Sequence, residues 1–258
     1  MIEIDNLSKS YDNDVVLNIP KMSIPKSEIF GLVGNNGAGK TTLFSLILDL
    51  IKASTGKVTI SNNDVSKNES WKSITSAFID DQFLIGYLTP EEYFTFIGEL
   101  RNIKKDEILK SLEPYEDFFH GEIMGKKKYI RDLSKGNQKK VGVVGALICD
   151  TPLVVLDEPF ANLDPTTQIR LKVLLKDKSK NSDKTFIISS HDLQHVTEVC
   201  ERIVVLDKGH VVKDVKTSKK TFKDFPGYKN LLQHFRKNLG IACEEKRFRK
   251  LYFDTIEQ

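Results

Sequence analysis

The chain has 258 residues, 40% of them hydrophobic, and a formal net charge of +3. That is ample for a buried core, long for one simple domain and short for two independent ones. The charge is too small to imply a nucleic-acid partner, no apolar run approaches the roughly eighteen residues of a membrane span, and the start MIEIDNLSKS lacks the apolar stretch of a secretory signal.

Cys149, Cys200 and Cys243 are odd in number and lack metal-ligand spacing, which fits a reducing compartment. The expected location is the cytosol, with any membrane reached through a partner. From position 208 onward there are thirteen Lys/Arg against six Asp/Glu. Such a stretch is either a solvated basic tail or a surface for anionic lipid or an acidic partner.

In chain order, IEI (2–4) and VVLNI (15–19) read as early strands, and EIFGLVG (28–34) as a buried strand ending in a glycine-rich turn. GKTTLFSLILDLI predicts a helix with Leu43, Ile47, Leu50 and Ile51 on one face. KVTI and TSAFI predict further strands. From residue 89 to about 150 the pattern turns helical, with Pro90 suited to a first turn. Within it, KKKYI (126–130) reads as a short extended piece. PLVVLDEP, TFIISSHD and RIVVLDKG return as strands separated by helices, GHVVKDVK suggests a last hairpin, and 226–239 a closing helix. Strands alternating with helices predict an α/β fold: a parallel sheet covered on both faces, interrupted by a helical insertion at roughly 84–151.

Two stretches carry chemistry. Gly34, Asn35, Asn36, Gly37, Ala38, Gly39, Lys40 and Thr41 fit the phosphate-loop pattern, placed between a predicted strand and a predicted helix. Glycines let the backbone turn several N–H groups toward one anion, and the helix adds its positive end. Lys40 reaches the β- and γ-phosphates, and the Thr41 hydroxyl suits Mg²⁺. In PLVVLDEPF, an apolar strand ends in two acids. Asp157 would hold Mg²⁺ through water together with Thr41, and Glu158 would act as general base on a water beyond the γ-phosphate. His191 follows a neighbouring strand, where it would reach the same phosphate. The ordinary alternatives are a solvated strand end and a structural histidine.

Over about residues 1–213 the sequence resembles the ATP-binding-cassette (ABC) ATPases. GNNGAGKTT (34–42), LSKGN (133–137), LVVLDE (153–158), ANLD (161–164) and SSHD (189–192) stand in the family's order. SAFIDDQFLIGYLTPEEY is similar to the ATPases of bacterial drug, bacteriocin or antimicrobial-peptide exporters. The resemblance implies a P-loop NTPase (RecA-like) parallel-sheet core at 1–83 and 152–213. An N-terminal antiparallel β subdomain and an α-helical subdomain at 84–151 would complete it, with a partly helical extension at 214–258. It further implies ATP and Mg²⁺, a second nucleotide-binding domain, an integral membrane transporter subunit and a place at the inner face of the cell membrane, with no nucleic acid.

By the same resemblance, Leu133, Ser134, Lys135, Gly136 and Asn137 form a signature that caps the nucleotide of the opposite domain. A Ser ahead of a helical pattern is also an ordinary N-cap. Tyr11 matches an adenine-stacking aromatic, Thr42 an α-phosphate contact and Asp164 a loop coupling the two sites. Asp80 stands where the family has Gln or Glu near Mg²⁺, with Asp81 and Gln82 adjacent. Lys135 replaces a common glycine and Asn137 a common glutamine. Two rivals remain: an ABC ATPase serving no transporter, such as a cluster-assembly scaffold, and a nucleotide-gated binding module with little hydrolysis.

Overall fold

The computed structural model describes residues 1–12, 14–180 and 182–216. Met1–Lys216 forms one compact unit. It runs three residues past the expected limit of 213, because the last strand keeps pairing as far as Lys216 with Arg202. The expected closing helix at 226–239 lies outside the described residues.

Strands β1 (Ile2–Tyr11) and β2 (Asp14–Ile24) pair antiparallel, and both alternate buried and exposed positions along much of their length. They are far longer than the two short runs read from sequence, because polar residues on their outer faces break the apolar signal without breaking the ladder. β3 (Ile29–Val33) is buried throughout and leads into the phosphate loop and α1 (Lys40–Ile47). α1 stops four residues before its predicted end. Leu48 closes it, Asp49 turns left-handed at φ 50°, and Leu50 is exposed. β4 (Thr55–Ile60) and the two-residue β5 (Asn63–Asp64) complete a four-stranded sheet in the order β2-β1-β4-β5.

β6 (Thr75–Phe78) is the edge of the second sheet. The helical insertion follows: α2 (Pro90–Glu99), α3 (Lys105–Ser111), α4 (Glu116–Phe119) and α5 (Lys135–Ile148). Thr89 and Glu92 form a capping box ahead of α2, with Pro90 in the first turn. Residues 126–130 form no strand. Ile130 N–H donates to the Leu88 carbonyl and Arg131 N–H to that of Gly86, a short tie to a loop rather than a ladder. Arg101 closes the insertion onto the core by donating to the carbonyls of Ser73 at 2.7 Å and Thr75 at 2.6 Å.

β7 (Leu153–Leu156), α6 (Pro165–Lys180), β8 (Thr185–Ser190), α7 (Leu193–Val199), β9 (Arg202–Asp207) and β10 (His210–Lys216) finish the unit. The second sheet has the order β10-β9-β3-β8-β7-β6. It is parallel except for β10, the returning arm of the expected hairpin. Leu43, Phe44 and Ile47 of α1 join Ile2, Ile4 and Leu17 of the first sheet and Leu32, Val155 and Ile187 of the second in one core. This packing fixes the start of α1, and therefore the phosphate loop, at the carboxyl ends of β3, β7 and β8.

Candidate functional site

The phosphate loop owes its shape to two left-handed glycines, Gly37 at φ 80° and Gly39 at φ 101°. Lys40 is buried and turned back on the loop. Its Nζ donates to the carbonyls of Gly34 at 2.7 Å and Asn35 at 3.2 Å, and lies 3.3 Å from Glu158 Oε1. Thr41 Oγ1 donates to Asp157 Oδ2 at 2.5 Å. A hydroxyl and a carboxylate so juxtaposed are hard oxygen donors of the kind Mg²⁺ takes when phosphates and waters supply the rest. No group of three or more His, Cys, Asp or Glu side chains that could hold a metal occurs among the described residues. The site therefore fits a nucleotide-borne Mg²⁺, not a metal caged by protein alone.

Asp157 is 3% exposed at the end of β7. Burial pushes its carboxyl above the usual range, against the hydrogen bonds from Ser189 and Thr41 that favour ionisation. Glu158 follows in a left-handed conformation at φ 47°, uncommon for a residue with a Cβ. Its Oε1 faces Lys40, and Oε2 lies 2.9 Å from Nδ1 of His191, whose side chain is 55% exposed.

Ser189, on β8, was given no role by the sequence. Its hydroxyl donates to Asp157 Oδ1 and accepts the Glu158 N–H at 2.8 Å, so one side chain sets both acids. The signal was the first serine of the quoted SSHD.

The other predicted residues gather elsewhere. Ser134 is the N-cap of α5, its hydroxyl accepting the Asn137 N–H at 3.2 Å, and Ser134 and Lys135 are exposed. Gln138 pins the approach to the helix by donating its amide to the carbonyls of Ile130, Arg131 and Leu133. Residues 161–164 lie against this helix start: a Cβ on Gly136 would sit 2.8 Å from the Asn162 carbonyl oxygen. Asp164 accepts the Thr167 hydroxyl at 2.5 Å and the Thr167 N–H at 3.0 Å and caps α6, and those bonds, the hydroxyl first, hold its carboxyl below the usual range. Tyr11 is exposed at the end of β1, with Lys9 Nζ 4.7 Å from its ring centroid. Asp80 is exposed and accepts the Gln82 N–H at 2.8 Å, capping the turn after β6.

This fold and this constellation define a P-loop ATP-binding protein with an inserted helical subdomain. Residues 17–161 match the family model described as ABC transporter. The chain is 32% identical over 234 residues to an uncharacterized ABC transporter ATP-binding protein, YhaQ, of Bacillus subtilis (strain 168), covering 91% of this chain and 76% of that one. It is 31% identical over 220 residues to the bacitracin transport ATP-binding protein BcrA of Enterococcus faecalis, covering 84% and 70%. The solved ATP-binding subunit of an ABC transporter superposes with a TM-score of 0.76 at 23% identity, covering 97% of this chain and 99% of the other. A dimeric cassette, MJ0796, in a post-hydrolysis state bound to ADP and Pi superposes with a TM-score of 0.72 at 24% identity, covering 84% and 98%. The chain belongs to the ABC transporter ATP-binding family and is an ATPase of that family.

Proposed function

We propose that the chain powers a transporter by hydrolysing ATP in two composite pockets between paired domains, and that it couples this to separate membrane subunits. The observation that carries the reading is Glu158, held by a strained backbone between Lys40 and His191. Lys40 would bind the β- and γ-phosphates, exchanging its present carbonyl partners for phosphate oxygens. Thr41 and Asp157 would hold Mg²⁺, which when bound neutralises phosphate charge. Glu158 orients a water and takes its proton. The water oxygen bonds to the γ-phosphorus as the bond to the β,γ-bridging oxygen breaks, giving ADP and phosphate. His191 donates Nδ1–H to Glu158 and so aims the carboxylate. Its other ring nitrogen, Nε2, would face the γ-phosphate.

Ser134 and Gly136 would complete the pocket of the opposite domain. The N-capped start of a helix, with its positive dipole end and a glycine where a Cβ would meet the Asn162 carbonyl oxygen, is suited to an anion. Tyr11 would stack on adenine, Thr42 would contact the α-phosphate, and residues 161–164 would lie at the domain interface. Hydrolysis removes the γ-phosphate that the two domains share, and the pair loosens. ATP is thus a ligand favouring the closed state.

No helix among the described residues is long and apolar enough to cross a membrane. The turn after β6 exposes Phe83, and nearby Arg131 stacks over Tyr87 at 4.4 Å and Tyr129 at 5.4 Å. Exposed aromatics at the entry to the helical insertion support docking of a membrane subunit there, at the inner face of the membrane. The likeness to a bacitracin transport protein supports export of a drug or peptide.

The test is Glu158→Gln. Turnover should fall by about a thousandfold, ATP binding should persist, and a stable ATP-dependent dimer should form by analytical ultracentrifugation. Turnover at the wild-type rate would remove Glu158 as the base.

A further inference from the structure

The turn after β6 and the start of α5 are joined by charge. Asp81 lies one residue past Asp80, but the two carboxylates serve different ends. Asp80 caps its own turn. Asp81 is 16% exposed and lies between two lysines of α5, with Oδ2 3.9 Å from Lys135 Nζ and Oδ1 3.8 Å from Lys139 Nζ. Lys139 is 7% exposed, and its ammonium stands 4.8 Å from the centroid of the Phe78 ring. Asp81 Oδ1 is buried and has no hydrogen-bond partner among the described residues. Attraction to the lysines is therefore what offsets its burial. The lysines in turn sit in the first turns of a helix, where the backbone dipole already disfavours cations, and Asp81 relieves that conflict.

Phe78 supplies a second tie. Its ring fills the space left by Gly142 of α5, where a Cβ would come within 2.1 Å of ring carbon Cε2. Its carbonyl accepts the Asp157 N–H at 2.9 Å. A continuous set of contacts therefore runs within one chain. It starts at Asp157 beside the phosphate loop, passes through Phe78 and Asp81, and ends at the helix start bearing Ser134 and Gly136.

We infer that Asp81 is a positioning residue that fixes the start of α5, through Lys139 and Lys135, against the nucleotide-facing end of β6 and β7. It thereby links the pocket a chain holds to the pocket it completes in its neighbour. This rests on the composite-pocket reading above. Lys139 is the anchor. Lys135, whose side chain is 70% exposed and also donates to Gln138 Oε1 at 3.1 Å, is held more loosely.

The test uses the full chain in the Glu158→Gln background. Dimerisation with Mg²⁺ and ATP is followed by ultracentrifugation, and nucleotide affinity by a fluorescent ATP analogue at protein concentrations where the chain is monomeric. Asp81→Asn should raise the protein concentration for half-dimerisation about tenfold, while monomer affinity stays within about twofold. Asp81→Glu should restore dimerisation, a rescue that mere disturbance of packing would not give. Lys139→Gln should reproduce the loss, and the double variant should be no worse than either single one. Lys139→Gln also carries the comparison should Asp81→Asn not fold. Dimerisation unaffected by Asp81→Asn or by Lys139→Gln, additive losses in the double variant, or an equal loss of monomer affinity would each overturn the role of Asp81. A parent that stays monomeric with ATP overturns the composite pocket and this link together.

Discussion

Asp157 shows how one side chain can trade stability for a task. Burial disfavours its ionised form, so the charged carboxylate costs stability above its raised pKa and nothing at a pH low enough to protonate it in both folded and unfolded chains. Asp157→Asn should therefore stabilise the nucleotide-free protein at pH 8 by about 1 kcal/mol. The gain should shrink as the pH falls through the raised value, and Mg²⁺-dependent ATP binding should weaken. Thermal melts at a series of pH values check this, and a gain independent of pH would show that ionisation is not the cause. At this scale much of the site was legible. Glycine and lysine spacing announces a phosphate loop because the backbone geometry permits few substitutes, and two acids after an apolar run announce a strand end at a crevice. Ser189 and Asp81 were hidden because their roles depend on partners 32 and roughly 55 positions away, which no local pattern encodes.

Among the elements, α5 depends on missing side chains. Gly142 faces the Phe78 ring, whereas Gly145 faces Tyr93 Cε1 at 2.9 Å and Ile97 Cδ1 at 3.1 Å. Alanine is the better helix former at both places. At 142 the clash should dominate and cost about 2 kcal/mol, and Gly145→Ala should cost less because side-chain ends can shift. Chemical denaturation of the two variants measures the difference, and equal stabilities would remove the ring contact as the cause. Periodicity could locate α5 and the parallel strands because their apolar faces are set by burial. It overran at α1, since Leu50 and Ile51 continue the apolar pattern after Asp49 has already turned the chain. It misplaced an extended piece at 126–130 because a lone tie to residues 86–88 has no sequence signature.

At the scale of the whole unit, Arg202 fastens the two sheets together. Its guanidinium is bidentate to Asp214 of β10 at 2.8 and 2.6 Å and donates to the Ser23 carbonyl of β2 at 2.7 Å. It lies 4.0 Å from Glu28, whose carboxyl burial has already pushed up. Arg202→Leu leaves Glu28 buried beside no cation from that side chain and should cost about 3 kcal/mol. Protonation of Glu28 relieves the conflict, so the loss should be smaller at acid pH than at neutral pH. A loss that does not vary with pH would show that packing alone is responsible. The α/β class and the helical insertion were readable because alternating strand and helix patterns leave few ways to cover a parallel sheet. The joint made by Arg202 was not, because it unites positions 23, 28, 202 and 214 that only the folded chain brings near.

The left-handed backbone at Glu158 carries a consequence for how this protein can change over generations. Glycine would sit there without complaint, and asparagine nearly so. Mutational drift toward a hardier chain thus runs downhill toward residues that cannot accept water's proton. The contacts with Lys40 and His191 oppose that drift, and the proposed role as base adds the cell's demand for work, so a copy released from that demand should lose the acid at this position sooner than it loses its shape.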